Sequence, residues 1–363
     1  LSNNEATEGG GLASYNNIYS NVFTDFEFVL NDVDIINNIA EQGAGILLKN
    51  SRSSLNNVMI SGNHSTDDGG GISIESSNTL FNNVTITQNT ALDDGGGIFI
   101  DITDDNSNAP YPSIFKDVII SNNRSEYGRG GGMYFETDIE VFTANKLIIT
   151  NNNSSGHGGG IFLSAGSNIN LQHATIAGNM VGEGDVFGAG IYSNGGTANI
   201  VNSIVYYNRR EEEGGPSYNL NGWSQELFLE FDISYSDIEG DENWIPDGEG
   251  NISINPEFVD HEYLDYTLQP NSPCIDTGTI IEDMEYCGDA PDMGAYEYCE
   301  EECGAELADV NGDSEINILD LVQIANLILE TSTPPYACAA DFNGDGEVNI
   351  LDLVQIANYI LEN

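Results

Sequence analysis

Apolar and polar residues alternate with a period of two along short stretches of this chain, and glycine-rich turns separate the stretches. Ile72 and Ile74 are followed by Val84 and Ile86, then by Ile98 and Ile100, then by Val118 and Ile120. A period of two puts alternate side chains on one face of a strand. Gly-Gly-Gly or Gly-Ala-Gly begins at residues 9, 43, 69, 95, 130, 158 and 188, and Leu, Ile or Met follows each. Asn3, Asn37, Asn63, Asn89 and Asn152 stand six residues before the glycines. The unit therefore reads strand, asparagine turn, loop, glycine turn, strand, and it recurs after about 26 to 35 residues. So short a unit buries no core alone, whereas stacked units share a continuous one. Glycine and β-branched residues disfavour helix. The pattern predicts a mainly β chain wound as a solenoid.

These coils resemble the right-handed parallel β-helix of the pectate-lyase-like superfamily. The segment PNSPCIDTGTIIEDMEYCGDAPDMGAYEY, residues 270–298, resembles the closing segment of many secreted bacterial members. The resemblance covers residues 1–298 and implies a fold. It implies no single activity, because this fold hosts lyases, hydrolases, adhesins and inert stalks.

Two coils carry a conspicuous acidic signal, HSTDDGGGISI at 64–74 and TALDDGGGIFI at 90–100. Glycine permits positive φ and close approach of successive coils. Asparagine tolerates the left-handed conformation and can ladder its amide onto the next coil. Aligned on the glycines, Asp67 and Asp68 fall beneath Asp93 and Asp94, with Glu41 before and Arg129 after. At a strand spacing of about 4.8 Å, like carboxylates repel by about 1 kcal/mol per pair in water. Either these side chains splay into screened solvent, or Asp67, Asp68, Asp93 and Asp94 hold calcium.

The end of the chain is different. DVNGDSEINILD at 309–320 and DFNGDGEVNILD at 341–352 each precede an apolar-periodic stretch, LVQIANLILE and LVQIANYILE. Oxygen-bearing residues occupy loop positions 1, 3, 5, 9 and 12, the spacing with which an EF-hand-like loop wraps calcium. The candidate ligands are Asp309, Asn311, Asp313, Glu315 (through its carbonyl), Asn317 and Asp320, then Asp341, Asn343, Asp345, Glu347, Asn349 and Asp352. Two such copies, each leading into a helix, resemble the dockerin module over residues 307–363. The glycine expected at position 6 is Gly346 in the second loop but Ser314 in the first. A left-handed serine costs about 1 kcal/mol, so loop one is expected to bind more weakly. The resemblance implies helix-borne contacts to a cohesin-like β-sandwich. Ile318-Leu319 and Ile350-Leu351 stand where many dockerins carry small hydroxyl residues. These pairs are either core or a two-fold pseudo-symmetric docking surface. Leu321, Val322, Leu329 and their duplicates are expected to contribute to the module's core.

Composition narrows the functions. Eight Lys and Arg against 59 Asp and Glu give a net charge of −51. Such a surface repels nucleic acid, anionic membranes and polyanionic substrates, and attracts cations. No apolar run reaches the roughly 20 residues that span a bilayer. The chain begins at Leu1 without a leader-like stretch, so it reads as a processed or partial product. Cysteines 274, 287, 299, 303 and 338 show no CxxC pair, which favours disulfides and an extracellular or cell-surface setting over a zinc site. Cys303 with Cys338, and Cys274 with Cys287, are the candidate bridges, leaving Cys299 over.

Two domains joined by a linker are expected: a solenoid over 1–298, a linker over 299–306 and the dockerin-like module over 307–363. Lyase chemistry would need Arg or Lys near calcium; Arg124 and Arg129 near Glu126 and Asp94 form the best such cluster, and it is read as neutralising the acidic column. His157 occupies the repeat slot of Asp68 and Asp94, and is read as structural. Protruding segments at 103–112 and 214–228, with Tyr218 and Trp223, either stack on a glycan or pack over the side of the solenoid. The preferred reading is a secreted calcium-binding structural or adhesive protein. It docks through its last module or assembles head to tail as a fibre, since SNNEATEGGGL already belongs to a coil and leaves strand edges open. The alternative is a polysaccharide lyase or glycoside hydrolase delivered to a cohesin scaffold.

Overall fold

The computed structural model describes residues 1–15, 28–102, 113–137, 141–211, 219–222, 231–240, 245–281, 284–299, 305–329, 331–343 and 348–362. The chain folds as two compact units, Leu1–Tyr298 and Cys299–Asn363. The second unit includes the stretch 299–306 that reads as a linker in sequence.

The first unit is a parallel β-solenoid whose successive coils contribute to sheets of eight, ten and seven strands. The residue after each glycine triplet stacks on its counterpart, Ile46 on Ile72, Ile72 on Ile98, Ile98 on Met133, Met133 on Ile161 and Ile161 on Ile191. These side chains, with Val84, Ile86, Val118 and Ile120, lie in one continuous core. Phe81 stacks on Phe115 within it, ring centroids 4.6 Å apart. A second apolar row lies on the other face of the eight-stranded sheet, where Phe99, Tyr134, Phe162 and Tyr192 stack one per coil.

The glycines work as expected from their missing Cβ. Gly95 has φ +69°, and a Cβ on Gly96 would fall 2.5 Å from the carbonyl oxygen of Arg124 in the next coil. No side chain fits there.

Asparagine has two roles, carried by different residues. Asn38 donates both its main-chain N–H and its amide to Asn63 Oδ1, each at 2.9 Å. Asn63 does the same to Asn89, Asn89 to Asn123 and Asn123 to Asn152, and the ladder continues through Asn179 and Asn208 to Asn219. The left-handed residue is the one before the rung: Asn37 at φ 55°, Gln88 at 58°, Asn122 at 55° and Asn151 at 53°. Alignment on the glycines therefore misplaces Asn3 and Asn37, which are left-handed neighbours of the rungs Asn4 and Asn38. The cause is a variable interval, Asn38 to Gly43 in one coil but Asn123 to Gly130 in another.

The strands of the ten-stranded sheet bend sharply at a single left-handed residue, Asn57 in Arg52–Ser61, Asn83 in Asn78–Thr87 and Lys146 in Val141–Thr150. The pairing register skips that residue in every coil. Outside the bend Asn83 Nδ2 donates to Asn57 Oδ1, and Asn57 Nδ2 to Asp32 Oδ1, both at 2.9 Å.

The closing segment packs on the last coils. Asn202 exchanges two hydrogen bonds with Thr279, and Ala295 N donates to Thr175 Oγ1 at 2.9 Å. Cys274 is fully buried beside Ile204, Phe258 and Met293 and is a free thiol. Its S–H points to Asp237 Oδ2 at 3.4 Å, and burial pushes that carboxyl up to about 7. Cys287, Cys299 and Cys338 are disulfide-bonded. This overturns the Cys274–Cys287 bridge and the expectation of a leftover Cys299: the SPCIDTG turn aims Cys274 into an apolar cluster, where it stays a free thiol. Cys303 lies outside the described residues.

Candidate calcium and docking sites

In the first C-terminal loop, the side chains of Asp309, Asn311, Asp313 and Asp320 are aimed by main-chain N–H groups of the loop itself. Asp309, nearly fully buried, accepts from Gly312 at 2.8 Å, Asp313 at 3.2 Å and Ser314 at 2.8 Å. Asn311 Oδ1 accepts from Asp313 N, and Asp313 Oδ1 from Glu315 N. Asp320 is fully buried and joins the two ends of the loop, accepting from Asn311 N, Asn311 Nδ2 and Asn317 N. Asn317 in turn accepts from Leu319 N, completing a capping box that starts α1 (Ile318–Ile328).

The second loop repeats this frame where it is described. Asp352 accepts from Asn343 N at 3.1 Å and Asn349 N at 2.9 Å, and Asn349 caps Leu351 at the start of α2 (Ile350–Glu362). Asp341 lies half-buried at the head of this loop, while Asp345, Gly346 and Glu347 lie outside the described residues.

The donor set is oxygen alone, and it includes buried carboxylates. From residue 262 to the end there is no Lys, Arg or His, so no side-chain cation of this unit offsets Asp309, Asp320 or Asp352. Buried charge without a counter-charge is costly, and a hard divalent cation satisfies this donor set. The residues fit calcium.

Ser314 does take the left-handed conformation, at φ 67°. Ser314→Gly is expected to relieve about 1 kcal/mol of strain, raising the calcium affinity of loop one about fivefold and leaving loop two unchanged. Calorimetric titration of the variant resolves the two sites, and an unchanged weaker site would refute the strain argument.

Both Ile-Leu pairs are on the surface. Ile318, Leu319 and Val322 are 63%, 57% and 53% exposed, and Ile350, Leu351 and Val354 are 60%, 58% and 51% exposed. The expectation that Val322 and Leu329 help fill the core is corrected: both are exposed, as are Val354 and Leu361. The core instead uses Ala308, Val310, Ile324, Ala339, Ala340 and Ile356, with Leu321 and Leu353 packed against it. Helical periodicity locates an apolar stripe but not its width, and here the stripe is wider than the buried face.

In the solenoid, Asp67, Asp68 and Asp93 bring carboxylate oxygens within 4.8 Å of one another. Asp67 and Asp93 are exposed. Asp68 and Asp94 are half-buried, and each hands an oxygen to the next coil: Asp94 N donates to Asp68 Oδ1 at 2.9 Å, and Arg129 N to Asp94 Oδ1 at 2.6 Å. Burial, reinforced by the neighbouring aspartates, pushes Asp68 up to about 7 and Asp94 to about 6. The two aspartates of each pair thus differ, one facing solvent and one completing the main-chain ladder above it.

Arg129 and His157 continue the same column. The Arg129 guanidinium lies over the Phe162 ring, 5.2 Å from its centroid. His157 stacks on Tyr192 at 4.2 Å, and its Nδ1 accepts from Phe187 N at 2.9 Å. Burial lowers the His157 pKa, and the Arg129 charge adds to this. Arg124 sits in a two-residue strand paired with Thr90 and Asn153. Asp104, Asp105, Tyr218 and Trp223 lie outside the described residues.

Residues 307–361 match the Dockerin type I domain, and residues 83–101 match the Chlamydia polymorphic membrane protein repeat. The second match spans the Asn89 rung and the glycine turn of one coil. No curated protein and no solved structure matches the chain.

Proposed function

We propose, on the premise that residues 307–361 form a dockerin type I domain, that this chain is a secreted structural or adhesive β-solenoid. Calcium orders its C-terminal module, which then docks on a cohesin-like β-sandwich. The observation that carries the docking reading is the exposure of Ile318-Leu319 and Ile350-Leu351, each at positions 10 and 11 of a calcium-type loop. Their repetition supports docking in either of two orientations. The disulfide-bonded cysteines support an oxidising, extracellular setting.

The contacts of Arg129 and His157 support packing roles for both rather than a lyase centre. Arg129 braces the aromatic row, and His157 stacks against Tyr192 and Phe187 with one ring nitrogen already bonded. Structure and charge together favour a scaffold-like role for the solenoid; its fibre-forming variant requires bound cations to offset the repulsion between copies.

A type I cohesin domain fixed to a sensor surface is expected to capture the chain in millimolar calcium and release it on chelation. Absence of capture by a panel of such domains in calcium refutes the docking reading. Sedimentation of the chain alone tests the fibre variant, which fails if the protein stays monomeric in calcium.

A further inference from the structure

We infer that the docking partner presents an apolar groove with a basic rim, and that Ile318, Leu319 and Val322, or their duplicates Ile350, Leu351 and Val354, fill it. This rests on the docking function proposed above and specifies its chemistry. Each trio occupies positions i, i+1 and i+4 at the start of a helix, spanning about 100° of its circumference at 3.6 residues per turn. All six are more than half exposed. None offers a hydrogen bond from its side chain, so affinity at these positions comes from removing aliphatic surface from water.

The rim follows from charge. Glu315, which would offer calcium only its carbonyl, lies exposed three residues before Ile318, so its carboxylate stays free when the loop is filled. The last cation of the chain is Arg210, apart from His261. A partner rimmed by Lys or Arg is drawn toward such a surface, and one rimmed by acid is repelled. The same argument counts against a second copy as occupant, because each copy carries a net charge of −51.

The probes are two cohesin domains, one with an apolar docking face edged by lysines and one with a polar, hydrogen-bonding face. The full chain in calcium is expected to bind the first, with association slowing about tenfold as salt rises and dissociation unchanged. Because the trios are duplicates, Leu319→Thr or Leu351→Thr alone should weaken binding by no more than about threefold. The combined L319T/L351T chain should lose more than about a hundredfold. Retained helix signal and calcium stoichiometry in that variant separate lost docking from lost folding. Preference for the polar cohesin, or binding indifferent to the double change, overturns the inference and leaves docking itself standing. Dimerisation of the chain through the same leucines also overturns it. Capture of neither probe removes the docking reading as well.

Discussion

Asn123→Ala is expected to destabilise the solenoid by about 4 kcal/mol. Asn123 Oδ1 accepts from both the main-chain N–H and the amide of Asn89, each at 3.0 Å. Its own amide donates to Ile86 O and Asn152 Oδ1 at 2.9 and 3.0 Å. Alanine leaves the Asn89 N–H, the Asn89 amide and the Ile86 carbonyl without these partners in a region closed to water. Each buried orphan costs about 1–3 kcal/mol, and the solvent-excluded gap left by the amide adds to this. Urea unfolding followed by circular dichroism should show a lower midpoint with little change in slope. Asn57→Gly is the matched control. It removes an exposed rung while keeping the left-handed bend free of strain, and should stay within about 0.5 kcal/mol of the parent. A loss below about 1 kcal/mol for Asn123→Ala would show that water or local relaxation replaces the ladder.

Chelation of calcium is expected to unfold α1 and α2 while the solenoid persists. The module's own core is small, built on Ala308, Val310, Ile324, Ala339, Ala340 and Ile356. Against it stand buried carboxylates with no side-chain counter-charge in the module. At calcium one hundredfold above its dissociation constant, each bound ion adds about 2.7 kcal/mol, enough to decide whether so small a core holds. The helical part of the circular dichroism should vanish in excess chelator and return with calcium. Tyr336 supplies an independent readout, since its ring packs so closely on Gly312 that a Cβ there would lie 2.2 Å from it. Terbium in loop one should therefore emit under tyrosine excitation, and Asp320→Ala should abolish that emission. A module whose helices are indifferent to chelator would refute calcium-dependent ordering.

How much was legible in the sequence depended on whether a feature is local. Alternation of Ile72 with Ile74 and the glycine triplets announce strands and turns because both are properties of adjacent residues. The calcium-type loops are equally local, with every candidate ligand inside twelve positions. The bend at Asn57 and Asn83 escaped notice although its signal, a paired polar dipeptide before an apolar residue, is present as Asn56-Asn57-Val58 and Asn82-Asn83-Val84. Single left-handed residues interrupt a strand without interrupting its apolar rhythm. Sequence predicts the ladder in kind but not its rungs in the first two coils, because only stacking in space distinguishes Asn38 from Asn37. Cys274 and Val322 failed for a related reason: burial is decided by what arrives from elsewhere in the chain.

The rungs Asn63 and Asn89 are 26 residues apart and Asn89 and Asn123 are 34 apart, yet both pairs bond at 2.9 to 3.0 Å. Contour length per turn is thus a free variable, absorbed between strands Ile98–Ile102 and Ile114–Ser121 while the stacking period holds. Such an architecture tolerates foreign peptide spliced at that junction, and a lineage can change what the shaft displays without redesigning the shaft.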